Sequence, residues 1–392
     1  YVRLLIFITD KMQDENVDFS FDWIEYSVCA AMIGLSALIG VYYACCSSQG
    51  TVNEYMLGGK KMGIFPITMS LIASHVSCIS LLGIPVEVFT YGFQFVLSVL
   101  NTGAGILTIV YGFLPVFYNL QLVSVNEYLE LRFSKAVRKT ASTLFGITLL
   151  TYIPVIIYTV ALAFEEVSGI NVFIIAPIVS AICIFYTTVG GLKAVVWTDT
   201  LQSVFTLSAI FIITYIGTTR AGGFLKVVDT NLEGGVFDLN FSLNPFERLT
   251  IWTILFGNYF TFVAFLGTHA GSVQRFVALP SIRDAKWSVV FMCLGICCIF
   301  TICGYVGLVM FALYHDCNLL MAKKIKRMDQ MVPYLVMHIG GSIRGLPGLF
   351  IAGVFSAALG NMSAGLNTMA GIIYEDFLSN YLKKNVAEKH AA

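Results

Sequence analysis

Charge is what this 392-residue chain has least of: Asp, Glu, Lys and Arg make up 12 % of it, where a soluble domain carries about a quarter. With 57 % hydrophobic residues and a mean hydropathy of +0.82, that shortage excludes a water-soluble fold. Neither sign of charge prevails, since 23 Lys and Arg face 23 Asp and Glu. No basic stripe interleaved with aromatics replaces a net field, so nucleic acid is excluded as a partner. The ten cysteines lack the paired spacing of an extracellular disulfide framework. Most fall inside apolar stretches, where they read as small packing residues. Metal-ligand clusters, phosphate loops and nucleophile elbows are missing, which leaves an enzyme and an organic cofactor without support. Tyr1–Thr9 is too short for a span and has no cleavage site, so it is not read as a signal peptide.

What the chain does have is a series of nearly charge-free stretches, at about 26–44, 62–86, 93–119, 141–164, 170–189, 200–219, 249–274, 288–314 and 345–374. Each bilayer crossing takes about 20 mostly apolar residues, so the pattern predicts about nine spans. Lipid satisfies no open backbone group, and ten-residue alternating segments are lacking, so the spans are helices and not barrel strands. The predicted fold class is an all-α polytopic membrane protein embedded in a lipid bilayer. An extracellular N-terminus (1–23) puts Lys60, Arg132, Lys135, Arg138, Lys139 and Lys193 on one side with the tail (375–392), as the positive-inside rule requires of a cytoplasmic face. The segment 314–344, with Lys323, Lys324, Lys326, Arg327 and Arg344, is the exception on the outer side. Asn240-Phe241-Ser242 is a glycosylation sequon in the other long outer loop.

Two spans carry the marks of a broken helix, the device by which backbone carbonyls and helix ends reach a solute or ion at membrane depth. The second span, 69–92, is dense in serine, with His75 at its middle and Gly83, Pro85 and Gly92 near its end; the seventh, 256–275, has Gly257, Gly267, Gly271 and His269. They lie five spans apart, the spacing of an inverted repeat of about 62–219 and 249–374 that follows one extra helix. Small residues also serve plain helix contacts in membranes, and an intramembrane histidine can be a neutral one bonded to a carbonyl. Ionisable groups in spans nevertheless tend to face cavities. In the last span Ser356, Gly360, Ser363, Asn367 and Gly371 recur at steps of three and four and so share one narrow, hydrogen-bonding face. That face is expected to meet another helix or a wet site.

SVNEYLELRFSKAVR at 124–138, YTTVGGLKAVVWTDTLQ at 186–202, VQRFVALPS at 273–281 and a last span closing in Tyr374-Glu375-Asp376, together with the serine-rich second span, resemble the sodium:solute symporters. Within that family the likeness is to the monocarboxylate and multivitamin branch, and it covers nearly the whole chain. It implies a LeuT-type core of two inverted five-helix repeats that works by alternating access, with sodium as the coupling ion. It further implies a sodium ion between the first and eighth core helices, held by carbonyls of Ala73 and Val76 and by the positions Ala357, Gly360 and Asn361. Family members usually have serine or threonine at the last two. Gly360 has no side-chain oxygen, whereas Asn361 offers an amide oxygen of the hardness that such cations take. Asp199 matches an acidic position linked to sodium release or a further sodium site, and Arg132, Gln274 and Arg275 fit charged or polar gate positions of the inner loops.

For the solute, the resemblance and the two breaks together point to His75, Ser77 and Ser80 on one broken helix and Phe262, Phe265 and Thr268 on the other. An apolar wall with hydroxyl donors suits a small organic anion, whose carboxylate meets helix N-termini, serines or histidine. The expected function is sodium-coupled symport of a monocarboxylate or vitamin-like carboxylate at the plasma membrane. The alternative is a sodium-uncoupled or non-transporting relative of the same fold, or a fragment of it. A seven-helix receptor is disfavoured by nine spans and the missing receptor motifs. Sequence after the last span is polar up to Ala392, so the second repeat is expected to be two helices short.

Overall fold

The computed structural model describes residues 21–46, 54, 58–60, 62–122, 125–244, 246–317, 319–322, 324–341 and 343–378. The expected N-terminal segment (1–23) and tail (375–392) therefore fall mostly outside the described residues. Every regular element among those residues is helical. We number them α1 (Trp23–Cys46), α2 (Ile64–His75), α3 (Cys78–Tyr91), α4 (Phe93–Leu120), α5 (Val125–Arg132), α6 (Lys135–Ser168) and α7 (Val172–Arg220). They continue as α8 (Phe224–Glu233), α9 (Thr253–Gly267), α10 (Ala270–Val277), α11 (Ile282–Tyr314), α12 (Met331–Gly340) and α13 (Leu346–Ile372).

Six of these, α1, α4, α6, α7, α11 and α13 with its extension to Leu378, are long and apolar enough to cross a bilayer, and α2 with α3 makes a seventh, bent by 56°. The remaining two expected spans have visible causes. The stretches 170–189 and 200–219 join in one helical run because Lys193 and Asp199, which divide the apolar pattern, sit on the helix and not in a loop. That run is still two helices, since Gly191 at φ 59°, ψ −164° breaks it in a conformation that is essentially open to glycine alone. The other is α9 with α10, interrupted at Thr268 and His269. The two segments expected on the outer side differ from simple loops: 314–344 holds the buried helix α12 and the segment after α7 holds α8.

The ends of the spans are fixed by caps that lipid cannot supply. Asn171, Ser134 and Ser281 accept from the backbone N–H groups of Phe173, Val137 and Asp284 at the starts of α7, α6 and α11, taking up donors that have no intrahelical partner. At the start of α1, Glu25 Oε1 accepts from the backbone N–H of Gly345 at 2.9 Å, which ties α1 to the beginning of α13. The longest seam runs between α7 and α13, where Thr206 Oγ1 donates to the Gly353 carbonyl at 3.0 Å and Tyr186 Oη donates to that of Leu359 at 3.2 Å. A side chain at Gly353 would collide with Ala209 Cβ at 2.9 Å, so the close approach of these helices needs glycine there.

Replacing Gly191 with valine forces a β-branched residue into the glycine region, at a cost of about 1–3 kcal/mol. A lowered melting temperature of the detergent-solubilised protein, with Gly34→Ala (in open space) as the neutral control, checks this.

Candidate functional site

The break between α2 and α3 falls at Val76 and Ser77, both in extended conformation. Ser77 turns to capping duty: its Oγ accepts from the Ser80 N–H at 3.3 Å. The carbonyls at the end of α2 lose their partners one turn ahead, as the last carbonyls of any helix do. Two of them are recovered by a side chain from α13. Asn361 Nδ2 lies 3.0 Å from the Ala73 carbonyl, 3.2 Å from that of Val76 and 3.0 Å from that of Ala357. Only a donor can sit among three acceptors, so this position belongs to the amide nitrogen. Four of the five residues assigned to one cation site are thus together, and a Cβ at the fifth, Gly360, would stand 3.5 Å from Ala73 Cβ, but the amide points its nitrogen and not its oxygen into the cage.

Next to the cage lies a buried charge pair. Asp199 and Arg275 are 0 % and 1 % exposed. Arg275 donates to Ser70 Oγ at 2.8 Å, to the Gly271 carbonyl at 3.1 Å and to Asp199 Oδ2 at 3.4 Å. Ser70 donates to Asp199 Oδ2 at 2.6 Å, and Ser363 donates to Oδ1 at 3.3 Å. The polar face of α13 meets partners over part of its length: Ser363 reaches Asp199 and Asn367 Nδ2 donates to Gln274 Oε1 at 3.4 Å, whereas the buried hydroxyl of Ser356 has no hydrogen-bond partner among the described residues. Arg275 and Gln274 are buried parts of this network. Arg132, expected with them, is exposed at the end of α5.

The charge that closes the chain's other end is Arg138, quoted in the same motif but not singled out. It donates to Asp376 Oδ1 at 2.5 and 2.8 Å, to Glu130 at 2.8 Å and to the Glu375 carbonyl at 3.1 Å, and Ser142 also donates to Asp376. The pairing of a basic residue in 124–138 with the acids that end the last span was the signal available for it.

Both broken helices turn at a histidine. His75 Nδ1 lies 2.7 Å from the Leu71 carbonyl; an acceptor there requires the proton on Nδ1, so Nε2 accepts from Ser272 Oγ at 3.1 Å. His269 caps α10 by accepting from the Gly271 N–H at 3.2 Å. The two rings meet edge to face at 5.8 Å, with Phe265 5.0 Å from His75. His75, Phe262 and Phe265 line one cavity of about 190 Å³, to which α4 and α11 add Phe95, Ser98 and Phe300. Those last three went unnoticed because single aromatics and serines of uniform spans carry no distinguishing pattern. Ser80 instead lines an adjoining space of about 540 Å³ that shares Phe95 and Phe300 and ends at Glu87 and Arg248. There Arg248 grips Glu87 at 2.6 and 2.7 Å and lies over the Tyr91 ring at 4.0 Å. Ser77 stays a cap, and Thr268 turns its hydroxyl back to the Ala264 carbonyl at 2.8 Å. Asn240, outside the spans, donates to Glu247 at 3.0 Å and so holds that carboxyl below its usual range.

Residues 55–392 match the profile of the sodium:solute symporter family. The chain belongs to that family. Among curated relatives the chain is 36 % identical to human "Sodium-coupled monocarboxylate transporter 1" over 361 residues, 92 % of this chain and 59 % of the relative. It is 35 % identical to a "Putative sodium-dependent multivitamin transporter" of Drosophila melanogaster over 357 residues, 90 % of this chain and 59 % of the relative. It spans about three-fifths of the length of these curated relatives. A solved structure of a Na+-coupled sialic acid symporter in a substrate-bound outward-open state superposes with a TM-score of 0.88 at 23 % identity, covering 95 % of this chain and 77 % of that one. The shared architecture is the LeuT-type fold, in which α2 with α3 and α9 with α10 are the two broken helices.

Removing one partner of the Asp199–Arg275 pair strands a buried charge, worth about 3–5 kcal/mol. Arg275→Gln is expected to lower the melting temperature of the protein sharply, and Asp199→Asn combined with Arg275→Gln to recover much of the loss; equal melting of both variants would count against a stranded charge.

Proposed function

We propose that this symporter moves a small organic anion, a monocarboxylate or vitamin-like carboxylate, across the plasma membrane by alternating access, coupled to sodium. The observation that carries this reading is the cavity at the crossing of the two broken helices. Its aromatic wall, the ring of His75 and the hydroxyls of Ser98 and Thr261 suit a short apolar body with one polar end. In the adjoining space the guanidinium of Arg248 is already paired with Glu87, so support for an anion as the solute comes from the names of the relatives. Family membership and the names of the relatives support sodium as the coupling ion, and the buried carboxylate of Asp199 is the acid through which we propose that it acts.

The inverted repeats of about 62–219 and 249–374 then supply the two halves that rock about this cavity, with the N-terminus extracellular and the Arg138–Asp376 cluster at the cytoplasmic end. Asn240 is proposed as a glycosylation site on the outer face. A second reading, in which part of the ion coupling has been given up, is favoured by the amide in the carbonyl cage.

Uptake of radiolabelled lactate and biotin into proteoliposomes is the test. It is expected to be saturable and to fall when choline replaces sodium; uptake of neither compound above empty vesicles overturns the reading. Phe265→Ala, which removes one wall of the cavity, is expected to raise KM by about tenfold with a smaller change in kcat.

A further inference from the structure

Three carbonyl oxygens converging on one point at membrane depth are what a cation site offers, and here the point is filled by the protein itself. The Ala73 and Val76 carbonyls are free to converge because the helix breaks after them, and the Ala357 carbonyl comes from one turn before Asn361 on α13. Their distances to Nδ2, 3.0 to 3.2 Å, are those of N–H···O hydrogen bonds, longer than the roughly 2.3–2.6 Å at which a hard cation such as calcium holds oxygen. The hydroxyl that would complete such a site is missing at 360. A Cβ there would stand 3.5 Å from both Ala73 Cβ and Asp199 Oδ1, so a serine fits and the position is small without being crowded. Ser363, one turn on from Gly360, is turned to Asp199 and to the Gly360 carbonyl. Nor is a positive charge wanting beside the cage, because Arg275 supplies it to Asp199.

We propose that Asn361 replaces the cation in the cage between α2 and α13, so that the cage takes no sodium and this symporter binds one sodium fewer than a protein with hydroxyls at positions 360 and 361. The inference rests on the carrier reading above and concerns its coupling. The amide's two protons hold α2 to α13 whether or not an ion is present, and the link that an ion would make and break becomes a fixed one. Sodium dependence that remains then arises outside the cage.

The number of sodium ions bound per protein separates this from the carrier reading, since it needs no solute. Equilibrium binding of sodium-22 to the purified wild-type protein is compared with that to the Gly360→Ser, Asn361→Ser double variant, and with Asn361→Ser alone should the double variant not accumulate. The serine variants are expected to bind one ion more at saturation and to gain a sodium-dependent rise in melting temperature. An unchanged count, or the loss of an ion on replacing Asn361, overturns the proposal by making Asn361 a bystander or a ligand. Failure of lactate and biotin uptake in wild type and variants alike would sink the carrier reading and leave the ion count standing.

Discussion

Breaking a helix in a bilayer sets free backbone carbonyls in a place where water cannot take them up, and the centre of this protein is arranged around satisfying them. The end of α2 is the clearest instance. Its carbonyls reach across to α13 and end on the amide of Asn361. The converse need, that of a freed N–H for an acceptor, appears at the second break, where His269 takes up the Gly271 N–H, and the two breaks are joined by the hydrogen bond that Ser272 donates to His75. Each broken helix is thereby held in its interrupted form by a polar side chain. The cavity between them exists because neither can straighten without leaving groups unpaired, which costs about 1–3 kcal/mol for each buried group.

Charge obeys the same constraint more strictly. A chain with so few ionisable residues nonetheless buries Asp199 and Arg275 completely, and it surrounds them with Ser70, Ser363 and the Gly271 carbonyl. α2, α7 and α13 each contribute one of these groups and α10 contributes two, so a shift of any one of these helices is felt by the pair. A buried ion pair is a poor source of stability compared with apolar packing. Its placement where four helices meet is better explained by the need to keep those helices in register with one another.

Much of this was legible in the sequence, for particular reasons. The breaks at 76–77 and 268–269 showed because serine, glycine and a central histidine interrupt otherwise apolar runs. The face of Ser356, Gly360, Ser363 and Asn367 showed because its spacing matches one side of a helix, and it does meet Asp199 and Gln274. Hydropathy, however, put the division between two spans around Lys193 and Asp199, whereas the joint between the two helices is Gly191. It also took 314–344 for a loop, because Lys324, Lys326 and Arg327 mask the short apolar helix α12 that follows them. The orientation of Asn361 was out of reach: sequence says that an amide is present, while which end of it faces the cage depends on how many acceptors the break at Val76 delivers there.

That orientation bears on how the protein moves. A cation in a carbonyl cage binds or leaves according to its concentration on each side, so the contact it makes is tuned by the gradient. An amide nitrogen has no second side to leave to. Its hydrogen bonds contribute about 0.5–1.5 kcal/mol each net of solvation, and they bias the equilibrium between closed and open arrangements by an amount set by the protein alone. A ligand shifts a conformational equilibrium only through a difference in affinity between the states. In the coupling proposed above, that difference has to come from the proposed solute and from a cation approaching Asp199, where the guanidinium of Arg275 is already a competitor for the carboxylate.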